Sequence, residues 1–207
     1  RLLKDMVRDP HWYTALEATM AEAGLAIHNN RLSALTQIEA AQTDAVTAFP
    51  NAFLELTYSD GPLPTSVDEL CTALAENRPR DLSAGRTLIG PHRADLIGTF
   101  KAKGVPARDC STGEQKALLV SLILANARAL EHDFGAPPLL LLDEVAAHLD
   151  ADRRAALYDE ISALGAQAWM TGTDTELFDS LGDRAQYLEV ILRRCKVVCR
   201  LVRRKNY

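Results

Sequence analysis

The chain has 207 residues, 47% of them hydrophobic and 25% charged, with a formal net charge of −5. No apolar run approaches the ~20 residues of a membrane-spanning helix and no secretory leader opens the chain, so a membrane role is not expected and a cytoplasmic address is. Residues 191–207 hold seven Lys/Arg and no Asp/Glu, leaving 16 basic against 28 acidic side chains in the first 190, a balance that excludes a general electrostatic footprint for nucleic acid.

Residues 1–8 read as the middle of a helix, and the chain opens on Arg1; the expectation is a piece of a longer protein. From 11 to 48, Leu16, Met20, Ala23, Ile27, Leu35, Ile38 and Val46 keep to a three-and-four rhythm that predicts amphipathic helix. Gly24 and Asn29-Asn30 are candidate interruptions, and Pro50 is the expected stop. Residues 52–58 alternate as a strand with Leu54, Leu56 and Tyr58 on one face, and Gly61-Pro62 turns it. Ser66 with Glu69 forms a capping box for a helix running towards Asn77.

Beyond Asp81 short strands and turns are expected: 87–89, then Gly90-Pro91, then a hairpin over 95–109 turning near Lys103-Gly104. A strongly apolar helix follows from Glu114 to about Leu130, broken by Gly135 and Pro137-Pro138. Leu139 to Leu142 is a continuous apolar run ending in two acids, the pattern of a parallel strand buried on both faces. Helix over 152–164, strand over 167–171, short helix over 175–181 stopped by Gly182, and strand over 184–190 complete an α/β layer. The four cysteines show no zinc spacing and read as ordinary thiols.

Asp143-Glu144 places two carboxylates at the carboxyl end of a strand, where open α/β sheets present their ligand crevice. One acid there can hold magnesium while its neighbour polarises a water. A core strand that meets solvent in acidic residues is the plainer alternative. Ser111-Thr112-Gly113-Glu114-Gln115 stands directly before a helix, and Ser111 with Glu114 fits a common capping box. The same geometry offers bare N–H groups and a positive dipole end to a phosphate, with the Ser111 hydroxyl and the Gly113 amide as donors.

Order and spacing favour the functional readings. Residues 111–115 resemble the signature motif of ABC-type ATPases, 139–144 their Walker B strand, and Ala147-His148-Leu149-Asp150 their D-loop. Gly90-Pro91-His92-Arg93-Ala94-Asp95-Leu96 followed by Ser111-Thr112-Gly113-Glu114-Gln115-Lys116-Ala117-Leu118 is similar to the RecF family of bacterial DNA repair and replication proteins. Ala94 and Cys110 are small departures from that family's pattern.

The resemblance implies an α/β ABC-type head lobe with a preceding helical domain: 1–80 mainly helical and inserted, 81–190 the head lobe, 191–207 a basic tail. For that tail, phosphate-backbone binding and an unrelated extension both stay open. It implies that Asp143 helps hold Mg2+, that Glu144 orients the hydrolytic water, and that Ser111, Thr112, Gly113, Glu114 and Gln115 face the γ-phosphate of ATP bound to a second subunit. Asp150 would lie at the dimer seam. Thr173 replaces the usual switch histidine, and a hydroxyl cannot carry a proton's charge as imidazole does, which implies slow hydrolysis.

A P-loop ends in Gly-Lys-Ser or Gly-Lys-Thr, and none of the eleven glycines is followed by lysine. In RecF-like proteins that loop lies near the amino terminus, ahead of the residues present here. The implied whole protein dimerises with ATP on DNA, single- and double-stranded and at single-strand gaps, in the bacterial nucleoid. Recombination mediator proteins and RecA are its implied partners. An SMC-like or other ABC-type head and a non-catalytic interaction module are the rival readings.

Overall fold

The computed structural model describes residues 9–59, 61–193 and 196–202. The expected helical start over 1–8 lies outside them. The chain divides into two compact units, Arg1–Ala40 with Ala52–Asp109, and Ala41–Asn51 with Cys110–Tyr207.

In the first unit, helix α1 spans Pro10–Thr43 without a break. Asp9 Oδ1 accepts from the His11 N–H at 2.9 Å, and Pro10 needs no partner for a missing N–H at a helix start. Gly24 does not interrupt the helix. A Cβ there would sit 3.3 Å from Pro91 Cδ and 3.4 Å from Leu70 Cδ2, so glycine serves close packing. The helix stops at Thr43, well short of Pro50.

Strand β1, Ala52–Tyr58, pairs antiparallel with β2, Ala94–Phe100, and β2 pairs with the short β3, Val105–Pro106. The turn at Gly104 takes φ 64°. This is the expected hairpin, but the strand expected over 87–89 does not form. Its backbone is held by a side chain instead: the Leu88 N–H donates to Asp81 Oδ1 at 3.0 Å.

Helix α2, Val67–Ala84, begins as expected, with Ser66 Oγ accepting from the Glu69 N–H. It runs past Asn77 and through Pro79 before Gly85 caps it at φ 64°. Interactions on either side of the proline support the extension. Arg78 makes a paired contact with Glu17 of α1 at 2.8 and 2.6 Å, and Asn77 Nδ2 donates to Asp81 Oδ1 at 2.6 Å. Ala21, Leu63, Leu70 and Leu74 form this unit's buried cluster.

Burial raises the Asp81 pKa, against the opposing hydrogen bonds from Leu88 and Asn77. A carboxyl whose folded pKa is raised contributes its full stability below the unfolded value of about 3.9, and loses it as pH rises through the folded value. Asp81→Asn retains an acceptor oxygen and removes the charge. It is expected to unfold no more easily at pH 7 and to flatten the pH dependence above pH 4. Asp81→Leu strands two buried donors and is expected to lose about 2–4 kcal/mol in denaturant titrations.

In the second unit, α3 (Thr112–Phe134), β4 (Leu140–Leu142), α4 (Ala151–Leu164) and β5 (Ala168–Met170) follow in order. Gly135 caps α3 in the left-handed region at φ 70°. Ala117, Val120 and Leu124 of α3 pack with Leu140, Leu142, Leu157, Tyr158 and Phe49 in one core. β4 and β5 are parallel, with Leu140 opposite Ala168, Leu141 opposite Trp169 and Leu142 opposite Met170.

β4 is not buried on both faces: Leu140 and Leu142 point into the core, while Leu141 is 73% exposed and Trp169, on the same face by register, 54%. Helices α3 and α4 pack on one face of this two-stranded sheet, and among the described residues of its unit the second face is left exposed at Leu141 and Trp169. The last expected strand forms as β6, Tyr187–Arg193, but pairs antiparallel with β7, Lys196–Val202, rather than joining the parallel sheet. Among the described residues no helix is long and apolar enough to cross a membrane.

Candidate composite ATPase half-site

All the sequence-identified site residues fall in the second unit. Ser111 is the N-cap of α3, and a full capping box forms. The Ser111 N–H and Oγ–H both donate to Glu114 Oε2, at 2.9 and 2.8 Å, and Ser111 Oγ accepts from the Glu114 N–H at 3.4 Å. The plain cap reading is therefore realised. It also means that the Ser111 hydroxyl must turn from Glu114 to donate to a phosphate. Gln115 Nε2 donates to the Cys110 carbonyl at 3.0 Å, fixing the entry to the helix, and Thr112 is exposed.

Gly113 stands apart from these. A Cβ on it would meet nothing within 4 Å, and its φ is not positive. Among the described residues neither packing nor backbone conformation calls for glycine there, and the missing side chain leaves the backbone open to close approach.

Asp143 and Glu144 leave the carboxyl end of β4, Asp143 exposed and Glu144 half-buried. Glu144 sits at φ 53°, ψ 16°, the left-handed region that costs a residue with a Cβ roughly 1–2 kcal/mol. Among the described residues it is the one non-glycine residue with positive φ. The Thr171 hydroxyl joins the two acids, donating to Asp143 Oδ1 and accepting from the Glu144 N–H at 3.0 Å. Sequence reasoning missed Thr171. The signal was its place one residue past a strand that follows the acidic strand, but only the register makes it the partner of Asp143.

Asp150 is the N-cap of α4, Oδ1 accepting from the Arg153 N–H at 2.8 Å. Thr173 is exposed and contacts neither acid through any described hydrogen bond. Next to it, a Cβ on Gly172 would lie 2.9 Å from the Phe178 ring, so this stretch is packed closely onto the segment Thr175–Arg184.

A hard oxygen donor at a strand end suits magnesium, which binds through one or two carboxylates plus substrate phosphates and water. Among the described residues no group of three or more His, Cys, Asp or Glu could form a closed cage. The exposed Asp143 carboxylate offers one such oxygen donor.

No family model matches the chain. Over 198 residues it is 48% identical to the DNA replication and repair protein RecF of Rhizobium johnstonii, covering 92% of this chain and 53% of that protein. RecF of Rhizobium rhizogenes is 49% identical over 198 residues, covering 92% and 52%; RecF of Agrobacterium fabrum is 47% identical over 199, also covering 92% and 52%. The chain spans about half the length of the curated relatives it matches.

Among solved structures, the recombination mediator protein RecF with ATPrS matches with a TM-score of 0.62 at 23% identity, covering 84% of this chain and 48% of that one. The same protein with ATP matches with a TM-score of 0.60 at 24% identity and the same coverage. These likenesses show a shared fold of mixed helix and strand. Over 92% of its length, the chain is similar to the RecF family of DNA replication and repair proteins.

Proposed function

We propose that the chain supplies the signature and carboxylate face of a RecF-type ATPase, acting on ATP whose phosphates are cradled by a second subunit. The observation that carries this reading is Gly113: an open glycine in the first turn of α3 that the chain's own packing does not need. A phosphate can approach the helix amides there, with Gly113 and Ser111 as donors and Gln115 alongside. Glu114 holds the loop through its bonds to Ser111, Thr112 completes the signature, Asp150 lies at the dimer seam and Thr173 takes the switch position.

Asp143 is the ligand for Mg2+, which when bound neutralises charge building on the phosphate oxygens. Glu144 orients the attacking water and takes up its proton. The uncovered apolar face of Leu141 and Trp169 supports a further layer over the sheet, since parallel strands are stable only when both faces are covered. A lobe carrying the phosphate loop fits there.

The whole protein, in this reading, is a cytoplasmic, nucleoid-associated ATPase that dimerises with ATP on DNA at single-strand gaps. It helps load RecA together with recombination mediator proteins. In a RecF-family protein carrying these residues and a phosphate loop, Glu144→Gln is expected to lower turnover by about 100-fold or more while leaving ATP-driven dimers intact. The 207-residue chain by itself is expected not to hydrolyse ATP. Hydrolysis by the isolated chain that Glu144→Gln abolishes would contradict the half-site reading.

A further inference from the structure

We propose that Thr171 is a positioning residue that holds the metal acid and the water acid in one fixed arrangement; the proposal rests on the roles given above to Asp143 and Glu144. The Thr171 N–H donates to the Leu142 carbonyl at 3.1 Å, extending the parallel ladder one step past Met170. This sets Thr171 beside Asp143. A hydroxyl has one proton to give and two lone pairs. Here the proton goes to Asp143 Oδ1 and a lone pair takes the Glu144 N–H.

Each bond has a separate consequence. The first fixes the rotation of the Asp143 carboxylate and leaves Oδ2 without a hydrogen bond among the described residues, available to a cation. The second anchors the peptide of Glu144, whose left-handed backbone a freely solvated acid would not keep. Backbone strain of this kind persists where its surroundings over-determine it, and it clusters at active sites. Thr171 also leads directly into 172–174, the stretch packed onto Phe178. A displacement of that stretch when a partner docks is thereby passed to both acids through one hydroxyl.

Thr171→Val keeps the shape and removes the hydroxyl; Thr171→Ser keeps the hydroxyl. The first readout is hydrogen exchange at the Glu144 amide in this chain, followed by NMR. Thr171→Val is expected to speed it by about 3–10-fold, the loss of one hydrogen bond, while Thr171→Ser stays at the wild-type rate. The second uses a RecF-family protein carrying these residues and a phosphate loop. There Thr171→Val is expected to raise the Mg2+ concentration for half-maximal turnover and to lower kcat, each by about 10–100-fold. The KM for ATP stays unchanged, and Thr171→Ser restores both values.

Wild-type exchange and wild-type Mg2+ dependence in Thr171→Val would overturn the proposal. So would equal losses in the Val and Ser variants that follow their melting temperatures, the signature of a merely structural residue. Glu144→Gln is measured in parallel: if it leaves turnover intact, the ATPase assignment fails, and the amide-exchange result still decides whether Thr171 anchors Glu144.

Discussion

A Gly113→Arg substitution is expected to leave the melting temperature within about 2 °C of wild type and to abolish ATP-driven dimerisation of the RecF-type protein. The two halves of this expectation have separate physical grounds. Stability hardly changes because a side chain at 113 enters open space, with nothing within 4 Å of its Cβ. Removing glycine from a helix gains up to about 1 kcal/mol. A cation in the first turn loses roughly 0.3–1 kcal/mol against the helix dipole, and the two nearly cancel. Dimerisation fails because the long side chain fills the space through which a phosphate reaches the N–H groups at 113 and beyond. Sedimentation velocity with a non-hydrolysed ATP analogue, beside a thermal melt, measures both. A variant that melts normally and still dimerises would show that the open glycine has no partner to admit.

The second large effect is structural and lies at Glu160. Its Oε2 accepts from Arg128 of α3, and its Oε1 from the Thr47 hydroxyl. Thr47 Oγ1 in turn accepts from the N–H of Phe49 at 3.1 Å, and Phe49 is buried in the core with Ala117, Leu140 and Tyr158. One carboxylate therefore ties α4 to α3 and to the segment that returns from α1. The side chains of Arg128 and Glu160 retain only 27% and 13% exposure, so solvent screens them weakly.

Glu160→Ala leaves a mostly buried guanidinium and a half-buried hydroxyl without this partner. The expected loss is about 3 kcal/mol, the lower end of what breaking a buried pair costs. For a chain of this size that corresponds to a melting temperature lower by roughly 6–12 °C. Thr47→Val, which spares the ion pair, is expected to lose only about 1 kcal/mol. Equal losses in the two variants would mean that the ion pair contributes nothing beyond the hydroxyl contact.

Much of the local structure was legible in the residues. The strand over Ala52–Tyr58 carries its own alternation, and the cap at Ser66, the box at Ser111 and the stop at Gly135 rest on interactions between near neighbours in sequence. Position-specific chemistry reveals those. What failed was non-local. Gly24 reads as a helix breaker until Pro91 and Leu70 are seen against it. The stretch 87–89 reads as a strand because its apolar alternation carries no trace of the Asp81 carboxylate that takes the Leu88 N–H.

Leu139 to Leu142 reads as doubly buried, since a leucine run suits a strand covered on both faces whether or not the second cover lies in the same chain. The candidate site shows the same division. Asp143, Glu144 and residues 111–115 stand out by spacing, whereas Thr171 becomes visible only once Leu142 is paired with Met170.

In the proposed composite site the signature face of one subunit completes a nucleotide site on another. Mixing two variants of a RecF-family protein carrying these residues decides this: a phosphate-loop variant with equal Gly113→Arg, each inactive alone. Neither variant pairs with itself, so the productive dimer joins one of each and holds one intact composite site of two; turnover is expected to recover to at most about half of wild type when the sites act independently. A mixture no more active than either variant alone would contradict the claim.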